Sequence, residues 1–285
     1  MRVVVLSTCD AIGSDIIEQL TAVRPETKVV KPTWDASDRG IADAVRSCAR
    51  APARSLRRAY LDRRSSGCER ELASLLFPAG RKPPVRYAKV PSRLLNADHG
   101  VALLRSLEPE VLVLCGCPIL KQPLLAVPTK ATVNVHFGIA PEYRGEDAVL
   151  HALRRRDSAH VGVTLHHVDL GVDTGRLLAR GCPALDPADD EAVALAKCAA
   201  LAAPLLREYL AAVEHDDVPG VAQPPGGRMY RYADRRAWHD LQLWLNRRLG
   251  RTPAQPSERI SRYFDVTVAN AASPSAPSPI ESHGR

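Results

Sequence analysis

Met1-Arg2-Val3-Val4-Val5-Leu6-Ser7-Thr8, then Ile12 to Val23, then Lys28-Val29-Val30-Lys31, is the stretch that decides the fold. Residues 2–8 read as a strand, and the apolar run Val3–Leu6 within them predicts that it is buried. Ile12, Ile16, Leu20 and Val23 recur at helical spacing and mark one apolar face. The second strand at Lys28–Lys31 closes a β-α-β unit, the entry to a doubly wound sheet. The opening run is too short for the apolar core of a signal segment and soon meets Asp10 and Asp15. No Gly-x-Gly-x-x-Gly follows it, and Gly13 alone is no dinucleotide fingerprint.

Outward from that unit the alternation continues. Ile41–Leu76 has a helical pattern that Ala51-Pro52 divides in two. Pro83–Val90 is a connector ending in a short strand, and Asn96–Ser106 is the next helix. Val111–Cys115 is wholly apolar, a buried parallel strand that stops at Gly116. Leu120–Leu125 makes a short helical turn, Ala131–His136 a strand, Ala148–Arg155 a helix. Val161–His167 and Arg176–Cys182 read as strands and Asp190–Val213 as a long alanine-rich helix. The fold class is α/β, a doubly wound, mostly parallel sheet. After Val213 the composition changes. Pro219, Pro224, Pro225, Gly226 and Gly227 form a linker. Trp238–Leu249 is an amphipathic helix with Trp238, Leu241, Leu245 and Leu249 on one face, which docks on its own domain or on a partner. Repeated Ser, Pro and Ala from Ala269 predict a disordered tail.

The 285 residues fit one large domain or a domain with an appendage. The net charge of +7 comes mostly from arginine and suits either nucleic acid or an anionic small molecule. Arg46, Arg50, Arg54, Arg57, Arg58, Arg63, Arg64 and Arg70 form either a solvated helix face or a lip for an anionic substrate. Only three Phe and three Trp occur, and the basic residues are not interleaved with aromatics, which speaks against nucleic acid. No apolar run approaches the ~20 residues of a membrane helix, so no membrane partner is expected. The seven cysteines are odd in number and lack framework spacing, as in a reducing cytoplasm. Cys115-Gly116-Cys117 has no second Cys/His pair beside it, and no metal is expected. Asp169-x-Gly-x-Asp173-Thr-Gly is spaced like a cation loop but lacks the later bidentate glutamate.

Chemistry concentrates in Thr132-Val133-Asn134-Val135-His136-Phe137-Gly138-Ile139-Ala140-Pro141-Glu142-Tyr143-Arg144-Gly145 and in Gly162 to Gly175. Asn134 and His136, two apart on a strand, point to one face. An amide donor at a strand's carboxyl end holds an oxygen that gains negative charge. The imidazole supports that oxyanion or relays a proton. Asp173, on a glycine-flanked turn, would orient the ring and take the proton of an attacking amine, with Asp169 as competitor for that role. Such a set suits acyl transfer to an amine.

The pattern Asn-x-His, Pro-x-Tyr-Arg-Gly, Gly-Val-Thr-x-His and Asp-x-Gly-x-Asp-Thr-Gly resembles the formyltransferases that use N10-formyltetrahydrofolate. That family includes glycinamide ribonucleotide, methionyl-tRNA and sugar N-formyltransferases. The resemblance covers about residues 107–185 well, 1–106 more weakly, and nothing beyond about 216. It implies that Asn134, His136 and Asp173 are the catalytic triad and that His166 supports it on the substrate side, with Tyr143 and Arg144. It also implies that Gly116, Cys117, Pro118, Ile119 and Leu120 line the pterin pocket, and that Val168, Asp169, Leu170 and Val172 carry the loop reading the pterin's polar edge. Residues 1–216 would be the catalytic domain, 217–268 a linker and helical extension, 269–285 the tail. Phe137-Gly138-Ile139-Ala140-Pro141 replaces the usual Ser-Leu-Leu-Pro, which alters the loop facing the acceptor. No β-barrel of the methionyl-tRNA enzymes and no ACT-type regulatory domain of the hydrolases is expected. The implied reaction is formyl transfer to a small-metabolite amine, an amino sugar linked to a nucleotide or an amine of a secondary pathway. Hydrolysis to formate and formylation of methionyl-tRNA are the alternatives.

Overall fold

A computed structural model describes residues 1–34, 52–80 and 85–264. The expected helix before Ala51 and the tail from 269 lie outside the described residues. The opening unit forms as β1 (Val3–Ser7), α1 (Ala11–Val23) and β2 (Lys28–Thr33). Asp10 caps α1 by accepting from the Gly13 N–H at 2.8 Å. Gly13 packs so closely on Ser7 that a Cβ there would stand 2.3 Å from the Ser7 hydroxyl oxygen. The next elements are α2 (Pro52–Leu76), β3 (Ala88–Pro91), α3 (Ser92–Leu95), α4 (Asp98–Ser106), β4 (Val111–Cys115) and α5 (Gln122–Leu125). Then follow β5 (Ala131–His136), β6 (Tyr143–Gly145), α6 (Ala148–Arg154), β7 (Val163–His167), β8 (Leu177–Cys182) and α7 (Glu191–His215). β9 (Arg228–Tyr230), α8 (Ala237–Arg248) and β10 (Arg259–Arg262) complete the described chain.

The large sheet runs β10-β8-β7-β5-β4-β1-β2-β3. From β3 to β5 every pairing is parallel; β7, β8 and β10 add antiparallel. Strand order reverses about β1, so the crevice between β1 and β4 is the switch point where such sheets take ligands. β1 and β4 are buried throughout, as their continuous apolar runs require. One face of the sheet packs on α1 and α7, with Ile16, Leu20, Leu205 and Tyr209 in the core; the other packs on Leu95, Val101, Leu104 and Leu124.

The chain after residue 216 contains the helix α8 and adds two strands, and its Pro/Gly-rich segment is hydrogen-bonded to the loops around Asp173. β9 pairs with β6, and β10 extends the main sheet beyond β8. Three residues of β9 and the polar pattern of Arg259–Arg262 are too short to signal strands; partner edges select them. α8 buries His239, Leu243 and Asn246 on its own chain and leaves Trp238, Leu241, Trp244, Leu245 and Leu249 exposed. At its start Arg235, 4% exposed, binds both Glu191 oxygens at 2.9 and 2.8 Å and Asp240 at 2.6 Å. Tyr60 and Arg64 of α2 also reach Asp240, and Arg57 donates to the carbonyls of Ala233 and Arg235. Arg57 and Arg64 thus tie α2 to the start of α8, whereas Arg58, Arg63 and Arg70 of the same helix are exposed and Arg46, Arg50 and Arg54 lie outside the described side chains. Among the described residues no helix is long and apolar enough to cross a membrane.

Candidate active site

β5 ends at the carboxyl edge of the parallel half, and Asn134 and His136 share one face there. β7 lies antiparallel beside it, with His166 directly opposite Asn134, so register alone brings that second imidazole to the same place. Asp173 arrives from the turn after β7. That turn is tied down by Val168 N–H donating to the Thr132 carbonyl at 2.9 Å. Asp169 accepts from Gly171 N–H at 3.0 Å and from the Thr174 hydroxyl at 2.6 Å. Gly175 presses on the His167 carbonyl, where a Cβ would stand 1.7 Å from the oxygen. Exposed Asp169 closes the loop on itself, and Asp173 is the carboxylate that lies beside His136.

The Asp173 carboxylate is the hub. Oδ2 lies 3.4 Å from His136 Nδ1 and accepts from Gly145 N–H at 2.7 Å. Oδ1 lies 3.3 Å from His166 Nε2 and accepts from Asn134 Nδ2 at 3.1 Å. The far side of each ring meets a backbone carbonyl: His136 Nε2 that of Tyr143 at 2.9 Å, His166 Nδ1 that of His167 at 2.7 Å. A carbonyl only accepts, so each of those nitrogens carries a proton. In His136 the nitrogen facing Asp173 is then the one that takes up the second proton. Burial works against ionisation of Asp173, yet His136, His166 and the Gly145 N–H together hold its carboxyl well below the usual carboxylate range. Burial pulls the His136 ring down from its ordinary value, against the raising effect of Asp173. The stable description is an ionised carboxylate beside a ring that protonates only with that carboxylate's help.

Asn134 Nδ2 also sits 3.2 Å from His166 Nε2, so its amide donors face the two side chains that hold it. Gly138 makes room for the His136 ring, since a Cβ there would stand 2.5 Å from Nε2. The Tyr143 side chain points away from the hub: it is 5% exposed, donates to Asp157 at 2.9 Å and stacks on Tyr230. What Tyr143 offers the site is its carbonyl. Arg144 is half-buried, and its Nε has no hydrogen-bond partner among the described residues.

The two loops assigned to a ligand flank the switch-point crevice. Gly116 has φ +58° and lies against Thr8 and Asp10, a conformation and closeness that favour glycine. Asn96 clamps the following turn, donating to the Ile119 carbonyl and accepting from Lys121 N–H. Cys117, Leu120 and Val168 pack on one apolar cluster with Leu114. Pro118 and Val172 are partly exposed, whereas Ile119 and Leu170 stand 71% and 72% exposed, bare aliphatic side chains that a flat heterocycle would cover. The sequence reading missed Gly145 N–H and Gln223, whose side-chain amide donates to the Asp173 carbonyl at 2.9 Å and the Gly175 carbonyl at 2.6 Å. Gly145 stood inside the Tyr-Arg-Gly motif and so had a signal. Gln223 sits in a Pro/Gly linker and had none.

Comparison with known proteins matches residues 78–208 to the family model described as formyl transferase. The methionyl-tRNA formyltransferase of Burkholderia ambifaria is 31% identical over 193 residues, 66% of this chain and 55% of that protein. The chain thus spans about half the length of such relatives. A sugar N-formyltransferase from a Shewanella species superposes with a TM-score of 0.56 at 15% identity, covering 87% of each chain. Glycinamide ribonucleotide transformylase 1 from Symbiobacterium toebii superposes with a TM-score of 0.50 at 17% identity, over 79% of this chain and 94% of that one. At these identities the structural likeness is one of fold.

Proposed function

From the match of residues 78–208 to the formyl transferase family model, we propose that this chain is a formyltransferase that transfers a formyl group from N10-formyltetrahydrofolate to an amine of a small metabolite. The observation that carries this reading is the hub itself: one buried carboxylate in contact with two imidazoles, an asparagine amide and a backbone N–H at the end of β5. The bare apolar side chains Ile119 and Leu170 fit the flat pterin, with backbone of Val168–Val172 for its polar edge. The donor supplies an electrophilic formyl carbon.

In this reading Asn134 turns an N–H from His166 to the formyl oxygen as that oxygen becomes negative, a donation typically worth about 3 kcal/mol of barrier. His136, kept protonatable by Asp173, supports the same charge. Asp173 takes the proton that the attacking amine loses. Arg144, with a buried and unpartnered Nε beside the loop, would receive an anionic group of the acceptor.

The test is a panel of amines with 10-formyltetrahydrofolate, following the appearance of tetrahydrofolate. Amine-dependent release supports transfer; formate release without an amine replaces it with hydrolysis. Identity to methionyl-tRNA formyltransferases favours a second reading in which charged tRNA is the acceptor. Against it, the basic residues are not interleaved with aromatics, and only three Phe and three Trp occur. Charged initiator tRNA belongs in the same panel.

A further inference from the structure

We propose that Gln223 is a positioning residue for Asp173, and that residues 218–230 form a strap setting the place of that carboxylate relative to the His136 ring. The proposal rests on the reading of Asp173 as the group that manages the proton.

Gln223 gives both donors of its amide to the loop, one to the Asp173 carbonyl and one to the Gly175 carbonyl. Asp173 needs such a hold. Its φ is +51°, a left-handed conformation that a residue with a Cβ keeps only where its surroundings impose it. The strap is fastened to the same loop at further points. Val218 accepts from His167 Nε2 at 2.6 Å, Pro219 and Gly220 accept from the Arg176 guanidinium, and Val221 pairs with Leu177.

The other end of the strap holds the opposite wall. Gly227 lies so close to Pro141 that a Cβ would stand 1.6 Å from its carbonyl oxygen. Arg228 N–H donates to the Glu142 carbonyl at 3.0 Å, and Glu146 N–H to the Tyr230 carbonyl at 2.9 Å. Between those two bonds lies Gly145, whose N–H binds the Asp173 carboxylate. One continuous segment therefore fixes both the backbone of Asp173 and the amide that its carboxylate meets. A segment that only covered the core would have no reason to make polar bonds to both loops.

The experiment uses the full chain with no substrate, so that it reads positioning even if formyl transfer is never observed. Gln223→Ala and Gln223→Glu are compared with wild type by amide exchange at Gly145 and by ring-nitrogen titration of His136. That ring faces Asp173, His166 and the Tyr143 carbonyl. The alanine variant is expected to speed Gly145 exchange by roughly tenfold or more, the scale of losing two ordinary hydrogen bonds. Exchange in β1 and β4 should stay as in wild type. His136 should protonate at lower pH, because the carboxylate that favours its charge is loosened. The glutamate variant should behave alike near neutrality and recover Gly145 protection in acid, when its carboxyl again donates. If both variants leave Gly145 and His136 unchanged, or if protection falls evenly across the sheet, Gln223 is not a positioning residue. Should the alanine variant fail to fold, the glutamate variant's acid recovery decides. Loss of formyl transfer in wild type would sink the functional reading and leave this result standing.

Discussion

Replacing Asp173 by asparagine removes one charge and keeps the shape. The carboxylate sits 3.4 Å from His136 Nδ1. At that separation and an effective dielectric of about 20, a full ion pair is worth about 5 kcal/mol. Desolvation opposes it, since burial outweighs Asp173 in the net downward pull on His136. If half the pair energy reaches the transition state, about 2.5 kcal/mol, the rate falls by roughly a hundredfold; if all of it does, by several thousandfold. An asparagine there also aims an amide N–H₂ at one of three donors now bound to the carboxylate, Gly145 N–H, Asn134 Nδ2 or a protonated ring. The expected outcome is a loss of at least about a hundredfold in tetrahydrofolate release with an accepted amine, measured below the variant's own unfolding temperature. The sign of the pH effect follows too. With the carboxylate gone, burial and His166 pull His136 down against the Tyr143 carbonyl alone, so its protonation moves to lower pH. Turnover within threefold of wild type at roughly pH 7, where the group is charged, would refute the assignment of Asp173 as the proton-managing group.

Three further outcomes separate neighbouring ideas. Asp169→Ala opens the Gly171 and Thr174 contacts but leaves the hub intact, so formyl transfer should fall by less than about tenfold; a loss as large as that of Asp173→Asn would exchange the two roles. Arg235→Ala leaves Glu191 buried without its cation, while Asp240 keeps Arg64, and should cost about 3–5 kcal/mol in urea unfolding; a loss under ~1 kcal/mol would mean water replaces the guanidinium freely. Tyr209 is fully buried and its hydroxyl has no partner among the described residues, so Tyr209→Phe should be neutral or stabilising by about 1 kcal/mol in thermal unfolding. A destabilised Phe variant would point to a bound water on that hydroxyl.

Much of the site could be read from spacing. Asn134 and His136 are two apart on a strand, and a strand's alternation puts them on one face whatever surrounds them. The Asp173 turn reads as glycine-flanked in sequence, and at Gly175 a Cβ would stand 1.7 Å from the His167 carbonyl oxygen. The β-α-β opening came from apolar runs, and β4 and β5 have the residues expected of them. Two kinds of fact were not legible. Asp169 and Asp173 are the same residue type four positions apart, and loop hydrogen bonds alone separate their roles. Tyr143 lies in a motif, yet its side chain packs on Tyr230 and its carbonyl meets the ring.

The sequence by itself determined what depends on local periodicity: most of the strands and helices, and the shared face of the amide and imidazole. Tertiary structure alone decided what depends on chain segments far apart in number. β9 and β10 exist because β6 and β8 offer open edges, His166 joins the hub because β7 pairs antiparallel with β5, and Gln223 holds Asp173 from 50 residues away. Backbone hydrogen bonds and side-chain periodicity are encoded within a few residues. A contact between distant segments has no local pattern, because its energy exists only after the chain has closed the loop between them.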